Sequence, residues 1–316
     1  MRDNNLHRMI TVAKMYYEDQ MTQDEIAKKI ELSIPQVSRI VNAAKKQGYV
    51  KTFVLDPFSE SNDLSNQLEE TFGIKEARIV ETHISNERVT QTNAAQAVAD
   101  YLINIVQTND IISLAFSNIT CKMPQFLPQI HTENVIFVQP DGAVFENVQG
   151  YQHDTLRETS LKFDAYFFYV PAPAYVKDAY IRDTLHQDPN TAWVLEKAAA
   201  SNIAVFSANR VDTSSLYVKN HYFSKEEMLS IQKDGAVGDI FGHFIDKDGV
   251  ISDEAIESRA IGMPISELQR KDISICVSAG KDVAEAVHAT LMGKYCNVLI
   301  TDTNTAKKVL EIHEES

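Results

Sequence analysis

Six polar side chains that can contact nucleic acid fall on one side of a short segment near the start of the chain. Glutamine, asparagine and arginine can pair with base edges, whereas lysine neutralises phosphate groups. These residues are Gln36, Ser38, Arg39, Asn42, Lys45 and Lys46. Their spacing indicates the outward face of a helix that reads DNA. An ordinary helical hairpin with a solvated polar face is the alternative interpretation.

The sequence marks the N-termini of two helices, the second of which carries this face. Thr22 is followed three residues later by Glu25, and Ser33 by Gln36, and each pair has the spacing of a capping box. Pro35 stands in the first turn of the second helix, where its missing N–H costs little. We expect Thr22 and Ser33, at the two helix N-termini, to belong to the DNA-contacting surface as well.

Apolar residues on the other side of these helices complete a helix-turn-helix. Residues 6–18 carry a further helical pattern, so the sequence predicts a small all-α unit of three helices. The second helix of such a motif lies in the major groove. Residues 49–55 are short and β-rich, compatible with a wing or an exit strand. A break at Asp56-Pro57 divides the chain into a DNA-binding domain, residues 1–56, and a second domain, residues 57–316.

The charge distribution supports this division. The whole chain of 316 residues has a formal net charge of −14. Residues 1–51 nevertheless hold nine lysines or arginines against six acidic residues, and the remainder holds 21 against 38. A basic reader on an acidic body is therefore predicted, with phosphate contacts confined to the reader.

No catalytic, metal or cofactor motif was found in the sequence. The nine histidines show no metal-ligand spacing, and neither a nucleophile elbow nor a phosphate-binding P-loop is present. The three cysteines are far apart and odd in number, which argues against a disulfide framework. Without a signal peptide or an apolar run of membrane-spanning length, we expect a cytoplasmic protein with no membrane partner.

Strands and helices alternate through the second domain, which predicts a doubly wound, mostly parallel α/β fold. The predicted strands are 77–81, 111–116, 135–139, 166–170, 203–207, 240–245, 273–278 and 298–301. The predicted helices include 64–72, 92–107, 152–161, 191–200, 224–233, 281–292 and 303–311. In such a sheet, ligands bind beyond the carboxyl ends of the strands.

Polar residues that follow two predicted strands are therefore candidates for binding a small effector. Lys281 is placed at the start of a predicted helix, where a cation is disfavoured unless an anion lies between them, so it is a candidate anion partner. The candidates at these positions are Ser117, Asn118, Thr120, Gln139, Asp141 and Lys281, with Gln152 as an additional one.

The chain resembles the SorC family of sugar-responsive bacterial transcriptional regulators over nearly its whole length. The reader matches through MTQDEIAKKI and VSRIVNAAKKQGYV, and the body through FGIKEARIV at 72–80, GAVGDIFGHFIDKDG at 235–249, RAIG at 259–262 and NVLITDTNTAKKVL at 297–310. The resemblance implies an effector domain with the fold of sugar-phosphate isomerases and deaminases, a tetramer, and a phosphorylated sugar as effector. It also implies that Asp239 faces that effector.

Three departures from the family pattern concern phosphate binding. The family often has G-W-G-x-T after its strand here at 111–116, and this chain has Ala115 and Ser117 in place of both glycines. It has one glycine fewer in the loop of residues 279–283, and Asp141 where some relatives carry a basic residue. Glycine lets backbone N–H groups approach an anion closely, so we expect weaker capture of phosphate.

The sequence is most consistent with a DNA-binding regulator controlled by a sugar, a sugar phosphate or another anionic metabolite such as an organic acid. An isomerase- or deaminase-like enzyme with an added DNA-binding module is the alternative. The expected partners are operator DNA, the effector and further copies of the chain, because one helix-turn-helix reads only a half-site. A dimer or a tetramer would bring two readers together.

Overall fold

A computed structural model describes residues 2–47, 49–50, 60–81, 86–144 and 151–316, with backbone alone for 2–5 and 151–153. The chain divides into two compact units, Met1–Pro57 and Phe58–Ser316. Most of the β-rich segment 49–55, which was compatible with a wing or an exit strand, lies outside the described residues. In the described part of the chain, no helix is long and apolar enough to cross a membrane.

The first unit is the predicted three-helix reader. Its helices are α1 (Arg2–Tyr17), α2 (Gln23–Lys29) and α3 (Ile34–Lys46). Val12 of α1, Ile26 of α2 and Val37 of α3 are fully buried against one another. Burying these three side chains contributes several kcal/mol, at roughly 1.5–3 kcal/mol each. Their mutual contacts fix the angle between the last two helices.

Both predicted capping boxes are present. The N–H and hydroxyl of Thr22 donate to Glu25 Oε2 at 2.7 and 2.8 Å, and the Glu25 N–H donates back to Thr22 Oγ1 at 3.3 Å. The N–H and hydroxyl of Ser33 donate to Gln36 Oε1, both at 2.9 Å. The two helices thus begin at the residues that the sequence specified.

The second unit alternates strands and helices. Its strands are β1 (Glu76–Val80), β2 (Ile111–Leu114), β3 (Ile136–Val138), β4 (Tyr166–Phe168), β5 (Ile203–Phe206), β6 (Ala208–Arg210), β7 (Gly238–Ile240), β8 (His243–Ile245), β9 (Ile273–Val277) and β10 (Val298–Asp302). Its α-helices are α4 (Glu60–Phe72), α5 (Glu87–Ile105), α6 (Tyr151–Lys162), α7 (Ala179–Gln187), α8 (Pro189–Ala199), α9 (Leu216–Lys219), α10 (Lys225–Lys233), α11 (Glu254–Glu257), α12 (Ala284–Met292) and α13 (Thr303–Glu314). Two 3₁₀ helices span Thr120–Phe126 and Ile265–Arg270.

Seven strands form one parallel sheet in the order β1-β10-β9-β5-β2-β3-β4. After β2 the chain builds outward through β3 and β4, and then returns to the other side of β2 with β5. The order therefore reverses between β2 and β5, and their carboxyl ends flank the crevice where doubly wound folds bind ligands. The predicted fold class is confirmed.

The sheet is covered on both faces, as its apolar strands predicted. On β5, Ile203 and Val205 belong to the core on one face, whereas Ala204 and Phe206 belong to the core on the other. All four residues are buried. Alternate side chains of a strand point to opposite faces, so a strand buried on both faces must be apolar throughout.

A second, antiparallel sheet of β6, β7 and β8 departs from the predicted elements. The prediction of one continuous strand over 240–245 is wrong, because the chain turns back at Phe241 and Gly242, whose φ angles are 35° and 95°. Two positive φ angles are typical of a two-residue hairpin turn. The helix predicted to start at Lys281 instead starts at Ala284, so Lys281 lies in the preceding turn.

Asp302 joins three parts of the second unit. Its Oδ1 accepts from the N–H groups of Asn304 and Thr305 at 3.0 and 3.2 Å, which caps α13. Its Oδ2 accepts from the Gly280 N–H at 2.8 Å and from the Thr305 hydroxyl at 2.6 Å. One buried carboxylate therefore holds the end of β10, the start of α13 and the loop before α12 together.

Replacing Asp302 with alanine should lower the free energy of unfolding by about 2–4 kcal/mol, because several buried donors lose a charged acceptor. Chemical denaturation of the full chain measures the change. The matched control is Asp253→Ala, which removes the cap of the short helix α11 and should cost about 1 kcal/mol. Equal losses for the two variants would contradict this account of Asp302.

Candidate functional site

The outward face of α3 carries the predicted DNA-contacting side chains. Gln36, Arg39, Asn42, Lys45 and Lys46 are exposed, and Ser38 is half-buried. Opposite them, Val37, Val41 and Ala44 are buried against the rest of the unit. The helix therefore has one apolar face for packing and one polar face for solvent or a partner.

Several of these groups also have structural roles. The Gln36 side-chain oxygen is held by Ser33, so its amide nitrogen is the part available for a base. The Arg39 Nε donates to the Pro35 carbonyl at 3.3 Å, which directs the guanidinium along the first turn of α3. The hydroxyls of Thr22 and Ser33 are engaged in caps, so these two residues position the helices.

The second unit holds a cavity of about 520 Å³ beyond the carboxyl ends of β2, β5 and β9. Five residues predicted to bind an effector line it: Ser117, Asn118, Asp141, Asp239 and Lys281. Thr120 and Gln139 are buried but are not part of the lining. The side chain of Gln152 lies outside the described residues.

The loop after β2 is built by hydroxyl groups in place of glycines. The Thr120 hydroxyl donates to the Ala115 carbonyl at 3.0 Å and accepts from the Ser117 N–H at 2.8 Å. Ser117 Oγ accepts from the N–H groups of Ile119 and Thr120 at 3.2 and 3.0 Å. No residue from 115 to 120 has a positive φ angle. Ser117 and Thr120 therefore shape the loop, and Asn118 is its exposed member.

The same hydroxyl network crosses the crevice. Ser207, directly after β5, lies with its Oγ 2.8 Å from Ser117 Oγ and donates to the Val277 carbonyl at 2.6 Å. Ser278 accepts from the Ala208 N–H at 2.7 Å. The ends of β2, β5 and β9 are thus tied together by buried serines, which makes this wall of the cavity rigid.

Two buried carboxyl groups line the opposite side. Asp239 on β7 accepts from the Gly242 N–H at 2.8 Å, and Asn209 donates to its second oxygen at 3.5 Å. Asp141 is 4% exposed, and its Oδ1 makes no hydrogen bond to any described residue. Burial, followed by the negative charge of Asp239, raises the pKa of Asp141 to about 7. Burial raises the pKa of Asp239 to about 6.

Close backbone contacts hold Asp141 in place. After β3, Asp141 forms an isolated antiparallel β-bridge with Gly262. The Gly142 N–H donates to the Ile261 carbonyl at 2.8 Å. A Cβ at Gly142 would lie 2.2 Å from the Pro173 carbonyl oxygen, so no larger residue fits there. The position of Asp141 is therefore set by backbone packing and does not depend on a ligand.

His243 lies next to the acidic pair but is bound elsewhere. Its Nδ1 is 2.8 Å from Glu257 Oε1, and its Nε2 is 3.1 Å from the Met263 carbonyl. Burial lowers the pKa of His243, but the Glu257 carboxylate and the Met263 carbonyl outweigh it, so the net pKa is raised. Both ring nitrogens face acceptors, which favours an imidazolium whose charge is matched by Glu257.

Charged side chains surround the rim of the cavity. Arg210 on β6 pairs with Asp212 through Nε at 2.6 Å and with Asp282 at 3.0 Å, while Lys281 is exposed nearby. Asn209 and Arg210 were missed by the sequence analysis. They follow the strand predicted over 203–207, so the rule that found Ser117 and Asp141 would have found them as well.

Comparison with known proteins assigns both units. Residues 56–311 match the family described as "Putative sugar-binding domain", and residues 16–51 match a winged helix-turn-helix DNA-binding model. A deoxyribonucleoside regulator of Bacillus subtilis is 30% identical, covering 95% of this chain and 96% of its own length. The transcriptional regulator LsrR of Klebsiella pneumoniae is 28% identical over 95% of this chain and 92% of its own.

A solved structure with the same fold is the full-length sorbitol operon regulator SorC of Klebsiella pneumoniae. It superposes with a TM-score of 0.73 at 21% identity and covers 97% of this chain and 99% of its own length. These relatives are transcriptional regulators, so the enzyme alternative is not supported. The chain belongs to the SorC family of sugar-responsive, DNA-binding transcriptional regulators.

Proposed function

We propose that this chain binds its operator through the outward face of α3 and that a small sugar-derived effector in the cavity beyond β2, β5 and β9 changes the affinity for that operator. The observation that carries the proposal is the pairing of a polar helix face in one unit with a polar cavity at the topological switch point of the other. An effector shifts the operator equilibrium by the difference in its affinity for the two states.

Base reading is assigned to Arg39, Asn42 and the free amide nitrogen of Gln36, with Ser38 beside them. Lys45 and Lys46 lie in the last turn of α3, where exposed lysines can neutralise phosphates on either side of the groove. Thr22 and Ser33 support recognition by fixing the two helix starts.

Arg39→Ala should weaken binding to the operator by about 1–3 kcal/mol, because a bidentate contact to a base is lost, and should relax specificity at one position. Lys45→Ala should weaken binding to every sequence, because one phosphate contact is lost. The slope of log K against the logarithm of the salt concentration should become shallower by about one. Fluorescence anisotropy with operator and unrelated DNA at two salt concentrations measures both effects.

The matched control is Arg8→Ala, an exposed arginine on α1 that should leave the ratio of operator to unrelated binding unchanged. If Arg39→Ala and Asn42→Ala both keep the wild-type ratio, α3 is not the base-reading element.

Effector binding is assigned to the cavity because buried acceptors, an exposed amide and exposed cations meet there. Asp239 and Asp141 offer buried oxygens, while Asn118 and Lys281 are exposed at the rim. The missing glycines at 115 and 117 leave fewer close backbone donors for a phosphate. Simple phosphosugars should therefore bind weakly unless Asn118 and Lys281 replace those contacts.

Asp239→Asn should weaken effector binding about tenfold or more, because hydrogen bonds to a charged group contribute about 1.5–3 kcal/mol. Calorimetry with the effector found by screening sugars, sugar phosphates and organic acids for operator release measures the loss. Asp164→Asn, on the turn after α6, is the matched control and should bind like the wild type. An effector insensitive to Asn118→Ala, Asp239→Asn and Lys281→Ala alike would place the site elsewhere.

We also propose that the chain acts as a dimer or a tetramer. A single reader contacts only one half-site, and two-fold operators require two readers held together. Light scattering of the full chain at micromolar concentration should therefore give at least twice the mass of 35.5 kDa. A monomer both with and without DNA would refute this assembly.

A further inference from the structure

The cavity that we assign to the effector carries an excess of negative charge. Among its described lining residues are five carboxylates and three cationic side chains: Glu87, Asp141, Asp212, Asp239 and Asp282 against Arg210, Lys219 and Lys281. Arg210 is shared between Asp212 and Asp282 at the rim. The chain's own cations are therefore concentrated at the mouth, and the buried end of the cavity is acidic.

Among the described residues, no cationic side chain is hydrogen-bonded to either buried carboxyl, although the positive charge of nearby His243 lowers the pKa of both. His243 is the nearest buried base, but its ring nitrogens are bound to Glu257 and to the Met263 carbonyl. Asp141 keeps one oxygen without any hydrogen-bond partner among the described residues, and that side chain lines the cavity. A buried charge without a partner is costly, so burial favours a proton on this pair.

Three buried aromatic residues contribute to the cavity lining together with the acids. Tyr217, Phe241 and Phe244 line the same cavity, and all three are buried. Tyr217 and Phe244 pack edge to face with ring centroids 6.2 Å apart. Buried carboxylates next to aromatic rings form an environment that suits an organic cation, because the rings and the carboxylates both attract positive charge.

We propose that the effector carries a protonated amine, as an amino sugar or an amino polyol does, and that Asp141 and Asp239 bind its ammonium group at the buried end of the cavity. This inference rests on the proposed function of the cavity as the effector site. The ammonium group supplies both the missing counter-charge and the hydrogen-bond donors for the open oxygen of Asp141. The hydroxyls of the same ligand meet Asn209 and Asn118.

Two other occupants fit the site less well. A neutral polyol offers donors to the carboxylates but no counter-charge, so one or both acids would stay protonated. A calcium ion takes six to eight oxygen ligands, with carboxylates and carbonyl groups among them. Within the described residues no group of three histidine, cysteine, aspartate or glutamate side chains is arranged to hold a metal ion.

Matched ligand pairs that differ by one amine test the proposal on the full chain. The pairs are 2-amino-2-deoxyglucose with glucose, their 6-phosphates, 2-amino-2-deoxygalactose with galactose, and 1-amino-1-deoxysorbitol with sorbitol. In at least one pair the amine should bind about tenfold or more tightly, because charge-assisted hydrogen bonds are about twice as strong as neutral ones. Calorimetry at neutral pH measures both affinities.

The preference for the amine should disappear in Asp141→Asn, which keeps the shape of the side chain and removes its charge. Asp164→Asn should retain it. Asp239→Asn provides a second test if the first variant fails to fold, as judged by thermal unfolding.

Three results would overturn the inference. One is equal or tighter binding of the hydroxyl partner in every pair. Another is an operator-releasing effector that lacks an amine but depends on Asp239, which would leave the proposed function intact. The third is the absence of any cavity-dependent effector, amine-bearing or not, in which case the proposed function of the cavity fails as well.

Discussion

Burial of a seven-stranded parallel sheet on both faces is the constraint on which the second unit depends. Strands such as β5 are apolar throughout, so helices must cover both faces of the sheet. Because the strands are parallel, each connection must run back from the carboxyl-terminal edge of the sheet to the amino-terminal edge before the next strand starts. The loops that follow the strands are consequently gathered at one edge of the sheet. Where the strand order reverses between β2 and β5, these loops separate and leave room for a ligand.

The walls of that space differ in their physical character. On the side of the main sheet, Ser117, Thr120 and Ser207 use their hydroxyls to satisfy one another and the backbone. On the other side, Asp141 and Asp239 are buried, and Asp141 Oδ1 has no hydrogen-bond partner among the described residues. Stability thus accounts for the hydroxyl wall, whereas the acidic wall costs folding free energy, which agrees with the role that we propose for it in binding the effector.

In the reader, residues that we propose to contact DNA also take part in folding. Gln36 completes the capping box with Ser33 while projecting from the first turn of α3, and Arg39 contacts the Pro35 carbonyl on the same surface. A substitution at either position therefore changes both the helix start and the polar face. This coupling explains why recognition should be tested with the ratio of operator to unrelated binding, since a loss of helix stability lowers both affinities together.

The sequence by itself determined the local elements and the class of the fold. Thr22–Glu25 and Ser33–Gln36 specify helix starts through contacts three residues apart, and the continuous apolar strands specify a sheet covered on both faces. The rule that residues following parallel strands share one edge of the sheet named Ser117, Asn118 and Asp141. Lys281 was named from its place at a predicted helix start, and Asp239 from the family resemblance. Only the tertiary structure decided what depends on contacts distant in sequence. The 240–245 segment turns back within itself, so that β7 pairs with β8 and, on its other side, with β6, which is distant in sequence. Packing of residues 140–144 against Gly262 and Pro173 buried Asp141, and no local pattern predicts that a single acidic residue in a loop is buried.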